Sequence, residues 1–582
     1  GDEDPIGKTL NLNNIRDLEV IGVIEDLPTN THLNFDMIGS FETFKTFFNN
    51  PQFFDTQWVW VAAWMYFTVE NEAEAQKISD GLPAFVKAHF PESLSDAGVA
   101  LRMQKANDIH LNSNLELEFE PNGNLQHVYL FSFIAILILL IAVINFMNLA
   151  TARAAKRGKE VGLRKVLGAH RKMLVGQFMG EAILTSFLAL IIAVGIITAV
   201  MPWFNHITGK EVSIDLLQSA PAFGALIALG LLVGLLAGSY PSFVLSSFQP
   251  TEVLKGKSAV GSKDFLRKAL VVTQFVISIS LIICIGIVYK QLHYIHNKEL
   301  GFNKDQIVTV DFGFNLLNNY GSLKSELVKN HEIQAVTLLG GSVPGKAEVI
   351  ENAFVPSGMP VEQQQWFSAM FTTHDFEKVL DVEFIQGHAF QVGNSVDSTG
   401  FIINESAAQA LGWGNDVVGR KLDLALNGNI QATGTVIGLV EDFHYQPLYV
   451  PIKPLVIRLG GNVLAVKVRS TDLPQTIASM EGTWAKLFPG NPFRYSFMDE
   501  NFGQLYKKED NFSRTIQYFS ILAVFIACLG LLGLSSFTTE NRRKEIGVRK
   551  VNGATTAELV LLLIKDFSLL ILIAFAISVP VA

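Results

Sequence analysis

The feature that most constrains this chain is a ten-residue block that it carries twice. Glu160 to Ala169 reads E-V-G-L-R-K-V-L-G-A and Glu545 to Ala554 reads E-I-G-V-R-K-V-N-G-A, identical at seven of ten positions and 385 residues apart. A basic cluster leads into each block, and long, largely uncharged apolar runs lie on both sides. An apolar run, a basic turn and a second apolar run form the pattern of a loop between two membrane-spanning helices. Its recurrence implies that a whole helical unit has been duplicated.

The rest of the sequence supports a membrane protein. Its 582 residues are 49% hydrophobic and only 17% charged, with a mean hydropathy of +0.31, too apolar for an ordinary soluble enzyme. The apolarity is concentrated in six runs of the roughly 20 residues that a helix needs to cross the hydrocarbon core. They are Val128 to Ala150, Leu174 to Val200, Ala222 to Phe248, Ala269 to Tyr289, Thr515 to Phe537 and Leu559 to Val581. Cys284 and Cys528 both fall inside these runs, so neither a disulfide framework nor a cysteine metal site is expected.

Lysine and arginine near the span ends set the orientation. Segment 151–173 holds eight basic residues and one acid, and 249–268 and 539–557 each hold five against two, so all three face the cytoplasm. The loop 202–221 sets one lysine against Glu211 and Asp215 and faces outward. Two long polar segments, 1–127 and 291–513, are then extracytoplasmic. The first carries 7 basic and 20 acidic residues, which accounts for the net charge of −9 and argues against a nucleic-acid partner. The expected order is an outward domain (1–127), spans with a cytoplasmic loop at 151–173 (128–248), a cytoplasmic linker (249–268) and a fourth span (269–290). A second outward domain (291–513) and two further spans with a loop at 539–557 (514–582) complete it.

The outward domains repeat as well. G-N-D-V-V-G-R-K-L from Gly414 answers the opening G-D-E-D-P-I-G-K-T-L, and V-I-G-L-V-E-D from Val436 answers V-I-G-V-I-E-D from Val20. Gly7-Lys8-Thr9 is therefore part of a repeated strand-and-turn element. A phosphate loop would need four residues between its glycines and a preceding strand, and Asp2, Glu3 and Asp4 would repel phosphate. A helix over Glu72 to Phe90 ends in Phe90-Pro91 as the later copy ends in Phe488-Pro489, and the alternation in Val59 to Val69 suits a half-buried strand. The fold class is a polytopic α-helical membrane protein with two duplicated α/β extracytoplasmic domains. Segment 291–413 has no counterpart before Gly1 and the last apolar run reaches the last residue, so the chain is expected to be a fragment lacking a first and a last span.

Other residues stand out for their type. Glu181 and Asp566 are intramembrane acids at the same offset, 385, and sit near the cytoplasmic start of their helices, where the helix dipole favours negative charge. Gly230, Gly234 and Gly238 form a flat stripe at four-residue spacing, suited to close helix packing, and Pro241 is expected to kink the inner end of that helix. Asp311-Phe312-Gly313 lacks every companion motif of a kinase, and His293 and His296 have no third metal ligand in view. No catalytic constellation or metal site is expected.

The block E-[VI]-G-[LV]-R-K-V-x-G-A between an inward and an outward span resembles the signature loop of MacB/FtsX-like ABC transporter permeases, and the order of spans and large outward domains is similar over essentially the whole chain. The resemblance implies a non-catalytic permease that binds no cofactor of its own, with ATP and magnesium held by a cytoplasmic ABC ATPase subunit. It puts the coupling contacts on Glu160, Gly162, Arg164, Lys165, Gly168 and Ala169, and on Glu545, Gly547, Arg549, Lys550, Gly553 and Ala554. Arginine and lysine suit charge-assisted bonds to an acidic partner surface, and Gly168 and Gly553 can end a short amphipathic helix. The resemblance also implies a bacterial inner-membrane location and export or extraction of an amphiphilic cargo, such as an antimicrobial peptide, drug or lipoprotein, with a periplasmic adaptor and an outer-membrane channel as further partners. The alternative is an FtsX-like transmitter that activates a periplasmic partner without transport. Many relatives pair two four-span chains; here both halves share one polypeptide, which implies a pseudo-dimer.

Overall fold

The computed structural model describes residues 4–12, 16–27, 31–46, 64–90, 98–113, 115, 118, 123–156, 158–208, 219–246, 264–346, 348–426, 429–469 and 472–582. Side chains at 152–156, 158–159, 206–208, 244–245, 264, 314–315, 426, 541 and 566 lie outside that description, as does 249–263 of the linker expected at 249–268. The chain forms two compact units, one of Gly1–Gly123 with Ile295–Lys508 and the other of Asn124–Tyr294 with Glu509–Ala582.

The N-terminal part of the first unit opens with the hairpin β1 (Thr9–Leu12) and β2 (Arg16–Glu19), followed by α1 (Phe41–Lys45), α2 (Glu72–His89) and α3 (Ala106–Asn112). In the second unit, the six apolar runs lie, over their described residues, on α4 (Leu125–Lys156), α6 (Arg171–Thr208), α7 (Ala220–Ser246), α8 (Asp264–Asn297), α14 (Lys507–Asn541) and α16 (Thr556–Val581). The repeated blocks fall on short helices, α5 (Gly158–Val166) and α15 (Arg543–Val551).

The large head in the first unit comprises β3 (Ile307–Asp311), α9 (Tyr320–Leu327), β4 (Ile333–Gly341), β5 (Glu351–Pro356), β6 (Gln365–Thr372), α10 (Phe376–Leu380), β7 (Phe384–Gly387), β8 (Phe401–Asn404), α11 (Glu405–Ala410), β9 (Lys421–Leu426), β10 (Asn429–Val440), β11 (Leu455–Leu459), β12 (Val463–Val468), α12 (Leu473–Leu487), β13 (Tyr495–Phe497) and α13 (Met498–Gln504). All eleven strands join one sheet, and β11 pairs with both β8 and β6, so β6, β5, β9, β10, β8 and β11 close into a circuit without free edges. The remaining path, β4-β12-β3-β13, is antiparallel and carries α9 and α12, a split β-α-β-β-α-β unit into which the closed circuit is inserted. Phe312 anchors its core, edge-on to Trp484 at 5.9 Å and to Phe488 at 5.7 Å.

Duplication of the heads is visible in their hydrogen bonds. Gly7 N–H donates to the Val20 carbonyl at 2.8 Å and Val20 N–H to that of Lys8 at 2.9 Å; Gly419 and Val436, then Val436 and Arg420, repeat the pattern at 2.8 Å each. Both turns need a left-handed residue, and Gly7 (φ +79°) and Gly419 (φ +90°) supply it. Gly7-Lys8-Thr9 thus leads into a strand, where a phosphate loop would open a helix. Helices α2 and α12 match too: Asn71 and Asp472 cap their N-termini by accepting from Glu74 N–H and Gln475 N–H, and Phe90 and Phe488 close them by donating to Val86 and Trp484.

Two expectations need correction. Residues 64–69, the described part of the strand expected at Val59 to Val69, form no regular strand and are exposed, Met65 at 87%. The strand that leads into α12, β12, is held by β3 on one side and β4 on the other; residues 64–69 have no such ladder among the described residues, and alternation alone cannot satisfy a strand's backbone. The second span was expected to end at Val200, before Pro202. Helix α6 instead runs through Pro202 to Thr208, and Trp203 packs edge-on against Tyr518 of α14 at 5.7 Å, a tertiary contact that offsets the hydrogen bond proline cannot make.

Within the membrane unit, α4 and α14 pack side by side. His127, Phe131, Ile134, Ile138, Ile141 and Asn145 recur at alternating steps of four and three, the spacing of a coiled-coil seam. Each has its counterpart 385 residues on, at Phe512, Ile516, Phe519, Ala523, Ile526 and Gly530. The apolar members of both sets share one buried cluster with Ile277 and Leu281 of α8. Gly230, Gly234 and Gly238 turn toward α6, so that a Cβ at Gly234 would lie 2.8 Å from Ile183 Cα and one at Gly238 2.6 Å from Ala182 Cβ. Lipid supplies no hydrophobic drive between helices, so close approach at small residues holds such a pair together.

Candidate functional site

Helices α5 and α15 end alike. Gly168 N–H donates to the Lys165 carbonyl at 3.1 Å and Ala169 N–H to that of Arg164 at 2.9 Å; Gly553 and Ala554 donate to Lys550 and Arg549 at 3.2 and 3.0 Å. This is the paired closure of a Schellman turn, which needs a left-handed residue just past the helix, and Gly168 (φ +98°) and Gly553 (φ +92°) provide it. On each helix the acid one turn back holds the arginine: Arg164 Nη2 lies 2.7 Å from Glu160 Oε1, and Arg549 Nη2 lies 2.8 Å from Glu545 Oε1. The repeated Glu, Arg, Gly and Ala therefore have local work that a preference for cytoplasmic basic residues does not explain.

The two helices are seated differently. Lys165 donates from Nζ to the Ser246 carbonyl at the end of α7, 2.6 Å away, and Arg171 Nε lies 3.3 Å from Ser246 Oγ. Burial first, and then the charge of Arg171, lowers the pKa of Lys165 below the usual lysine value. Val161 is 1% exposed and Gly162 is buried. In α15, Gly547 and Lys550 are exposed, and Lys550 makes no side-chain hydrogen bond among the described residues. Both helices keep an apolar outer face, Leu163 and Val166 on one and Val548 and Val551 on the other.

One intramembrane acid is linked to the first helix. Arg164 Nη1 donates to Gln177 Oε1 at 2.8 Å, and Gln177 Nε2 lies 3.4 Å from Glu181 Oε1, so a short polar chain runs from the short helix α5 into α6. Asp566 is on α16 with its side chain outside the described set. Gln177 and Ser246 were missed from the sequence. Gln177 was detectable as an amide one helical turn before Glu181; Ser246 carried no signal, since what holds Lys165 is its backbone carbonyl, which any residue there would offer.

The remaining candidates are dispersed. Phe312 is core, His293 stacks on Tyr289, and His296 meets the edge of Tyr506. Cys284 and Cys528 are unbridged, and among the described residues no three His, Cys, Asp or Glu gather as a metal site. A cavity of about 540 Å³ in the head is lined by Thr309, Asp311, Lys346, Arg494, Tyr495 and Asn501, among others, with Lys346 and Asp311 paired at 3.1 Å.

Comparison with known proteins adds the family. Residues 132–250 and 518–582 match the FtsX-like permease C-terminal domain, and residues 269–482 match the MacB-like periplasmic core domain. Among curated proteins, the chain is similar to the macrolide export ATP-binding/permease protein MacB of Neisseria gonorrhoeae, 25% identical over 259 residues that cover 44% of this chain and 36% of that protein. The protein of the same name from Bdellovibrio bacteriovorus is 27% identical over 196 residues, 32% of this chain and 27% of that one. The chain thus spans about a third of the length of these relatives. Among solved structures, the periplasmic region of MacB from Actinobacillus actinomycetemcomitans covers 36% of this chain and 98% of its own, at 16% identity and a TM-score of 0.26. With FtsX-type sequence on both sides of a MacB-type head, the chain belongs to the MacB/FtsX-like family of ABC transporter permeases.

Proposed function

We propose that this chain transmits the motion of a partner ABC ATPase to its extracytoplasmic heads, with α5 and α15 as the two contact points. ATP and magnesium belong to the partner, and the chain itself is non-catalytic. The observation that carries this reading is the recurrence, between successive spans, of the same short helix with the same Glu–Arg pair, glycine closure and apolar outer face. Such a helix can dock its apolar face on a protein surface while its cations meet acidic groups there. Glu160, Gly162, Arg164, Lys165, Gly168 and Ala169, with Glu545, Gly547, Arg549, Lys550, Gly553 and Ala554, are the proposed contact residues. The chain Arg164–Gln177–Glu181 would carry a displacement of α5 into α6.

The cargo reading is export or extraction of an amphiphile from a bacterial inner membrane, working with a periplasmic adaptor and an outer-membrane channel; the macrolide-export name of the relatives supports it. The test has two arms. The double charge reversal R164E/R549E should insert normally and abolish stimulation of the partner's ATP turnover; full stimulation in that variant overturns the coupling assignment. Affinity capture of the intact protein from membranes should bring down an adaptor and a channel, whereas capture of a cell-wall hydrolase replaces export by transmembrane signalling.

A further inference from the structure

We propose that the cavity in the head between β3, β13 and α13 binds the C-terminal end of a short peptide, with Arg494 holding the terminal carboxylate and the open edge of β13 aligning the last residues. Strand β13 ends the path of the sheet and pairs with β3 alone among the described residues, so its outward main-chain groups are left for another chain. It is three residues long, enough to align a chain end and too short to seat a full strand. Thr309 of β3 and Ser496 of β13 lie opposite each other and join through their hydroxyls at 2.9 Å, and Asn501 of α13 donates from Nδ2 to both, at 3.2 and 2.9 Å. This triad fixes one wall, and Asn501 Oδ1 accepts nothing among the described residues, which leaves it for a peptide N–H. Gly345, at φ +84°, brings the loop that carries Lys346 onto α13, where a Cβ would lie 3.3 Å from Asn501 Cβ and from the Met498 carbonyl oxygen. A side chain at 345 would push that wall open.

Charge sets the sign of the ligand. Lys346 Nζ and Asp311 Oδ1 pair at 3.1 Å, which cancels one cation against the single acid of the lining. Arg494 is left over. It is exposed and makes no hydrogen bond or ion pair among the described residues, so its N–H fork is open to a carboxylate, which a guanidinium grips through two parallel bonds. Size and polarity narrow the ligand further. A volume of about 540 Å³ falls in the range of small-ligand pockets, roughly 300–1,000 Å³, and holds only a few residues. Tyr495, 45% exposed, and Leu505 are the apolar side chains of the lining. A lipid tail would find little to cover it, whereas a peptide end meets hydroxyls, amides and a cation, with the ring of Tyr495 for one side chain.

The test uses the full chain in lipid nanodiscs, without nucleotide, and reads dissociation constants by saturation-transfer NMR titration. The probes are tetra-alanine, its C-terminal amide and sodium octanoate. Tetra-alanine should bind, and its amide should bind about tenfold more weakly or worse, the worth of hydrogen bonds to a charged group. R494Q removes no bond of the fold, and it should bind acid and amide alike, each as weakly as the unsubstituted protein binds the amide. A preference for the acid that survives in R494Q puts the carboxylate elsewhere and overturns the assignment. Equal binding of acid and amide by the unsubstituted protein, or no binding of tetra-alanine, overturns it as well. Octanoate binding more tightly than tetra-alanine gives the cavity to acyl chains and has the same effect. No arm involves ATP or the ATPase, so failure here leaves the coupling assignment untouched.

Discussion

Helices α5 and α15 carry nearly the same residues and share their internal bonds, and α5 is in addition tied to the neighbouring helices α6 and α7. Both have the Glu–Arg pair and the glycine closure. Among the described residues, α5 has a lysine tied to a neighbouring helix end, an arginine tied to the next span and a valine that is almost fully buried. Val551, the counterpart of Val166, is 88% exposed. What the two helices share is internal to the helix and its outer face: the Glu–Arg pair, the glycine closure and the exposed apolar side chains.

Four pairs of substitutions would break or sharpen this comparison. The largest effect is expected from single charge reversals: R164E should impair stimulation of ATP turnover more than R549E, because it also severs the bond to Gln177, and equal losses would show that the Gln177–Glu181 chain carries nothing. Next, G168V and G553V should each destabilise the protein by about 1–2 kcal/mol, since a branched side chain is strained at positive φ; paired melting curves should give matching shifts, as the closures match. Third, K165M should cost about 1 kcal/mol through the lost bond to the Ser246 carbonyl, while K550M should be silent in the same assay. Smallest, E160Q and E545Q should each cost about 0.3–0.5 kcal/mol, the worth of an exposed i,i+4 pair, and both effects should fade in high salt.

The spans, the duplication and the short basic helices were legible because each is a local property, a run of apolar residues or a repeated string. The strand expected over Val59 to Val69 fails in its described part, 64–69, because alternation describes a face and says nothing about whether a ladder is available; β12 has one, from β3 and β4. The overrun of α6 past Pro202 depends on Tyr518, more than three hundred residues away. The seat of α5 depends on Ser246, 81 residues beyond Lys165. The seam was half legible: the matching heptads lie in the sequence, but that Asn145 faces Gly530 follows only once α4 and α14 are known to be neighbours.

The split of the β-α-β-β-α-β unit fixes the order in which the head can be finished. Among the described residues, strand β3 pairs with β12 and β13 alone, so Val308 and Val310, buried in the completed sheet, have no edge to join until Val463 and the residues after it have been made and carried across the bilayer. The closed circuit from β5 to β11 can assemble meanwhile, because its strands find one another within the inserted segment. Biogenesis of the head is therefore gated by about its last quarter, and β3 spends the interval as an unpaired apolar strand outside the cell's cytosol, a segment exposed to misassembly or proteolysis if translocation stalls.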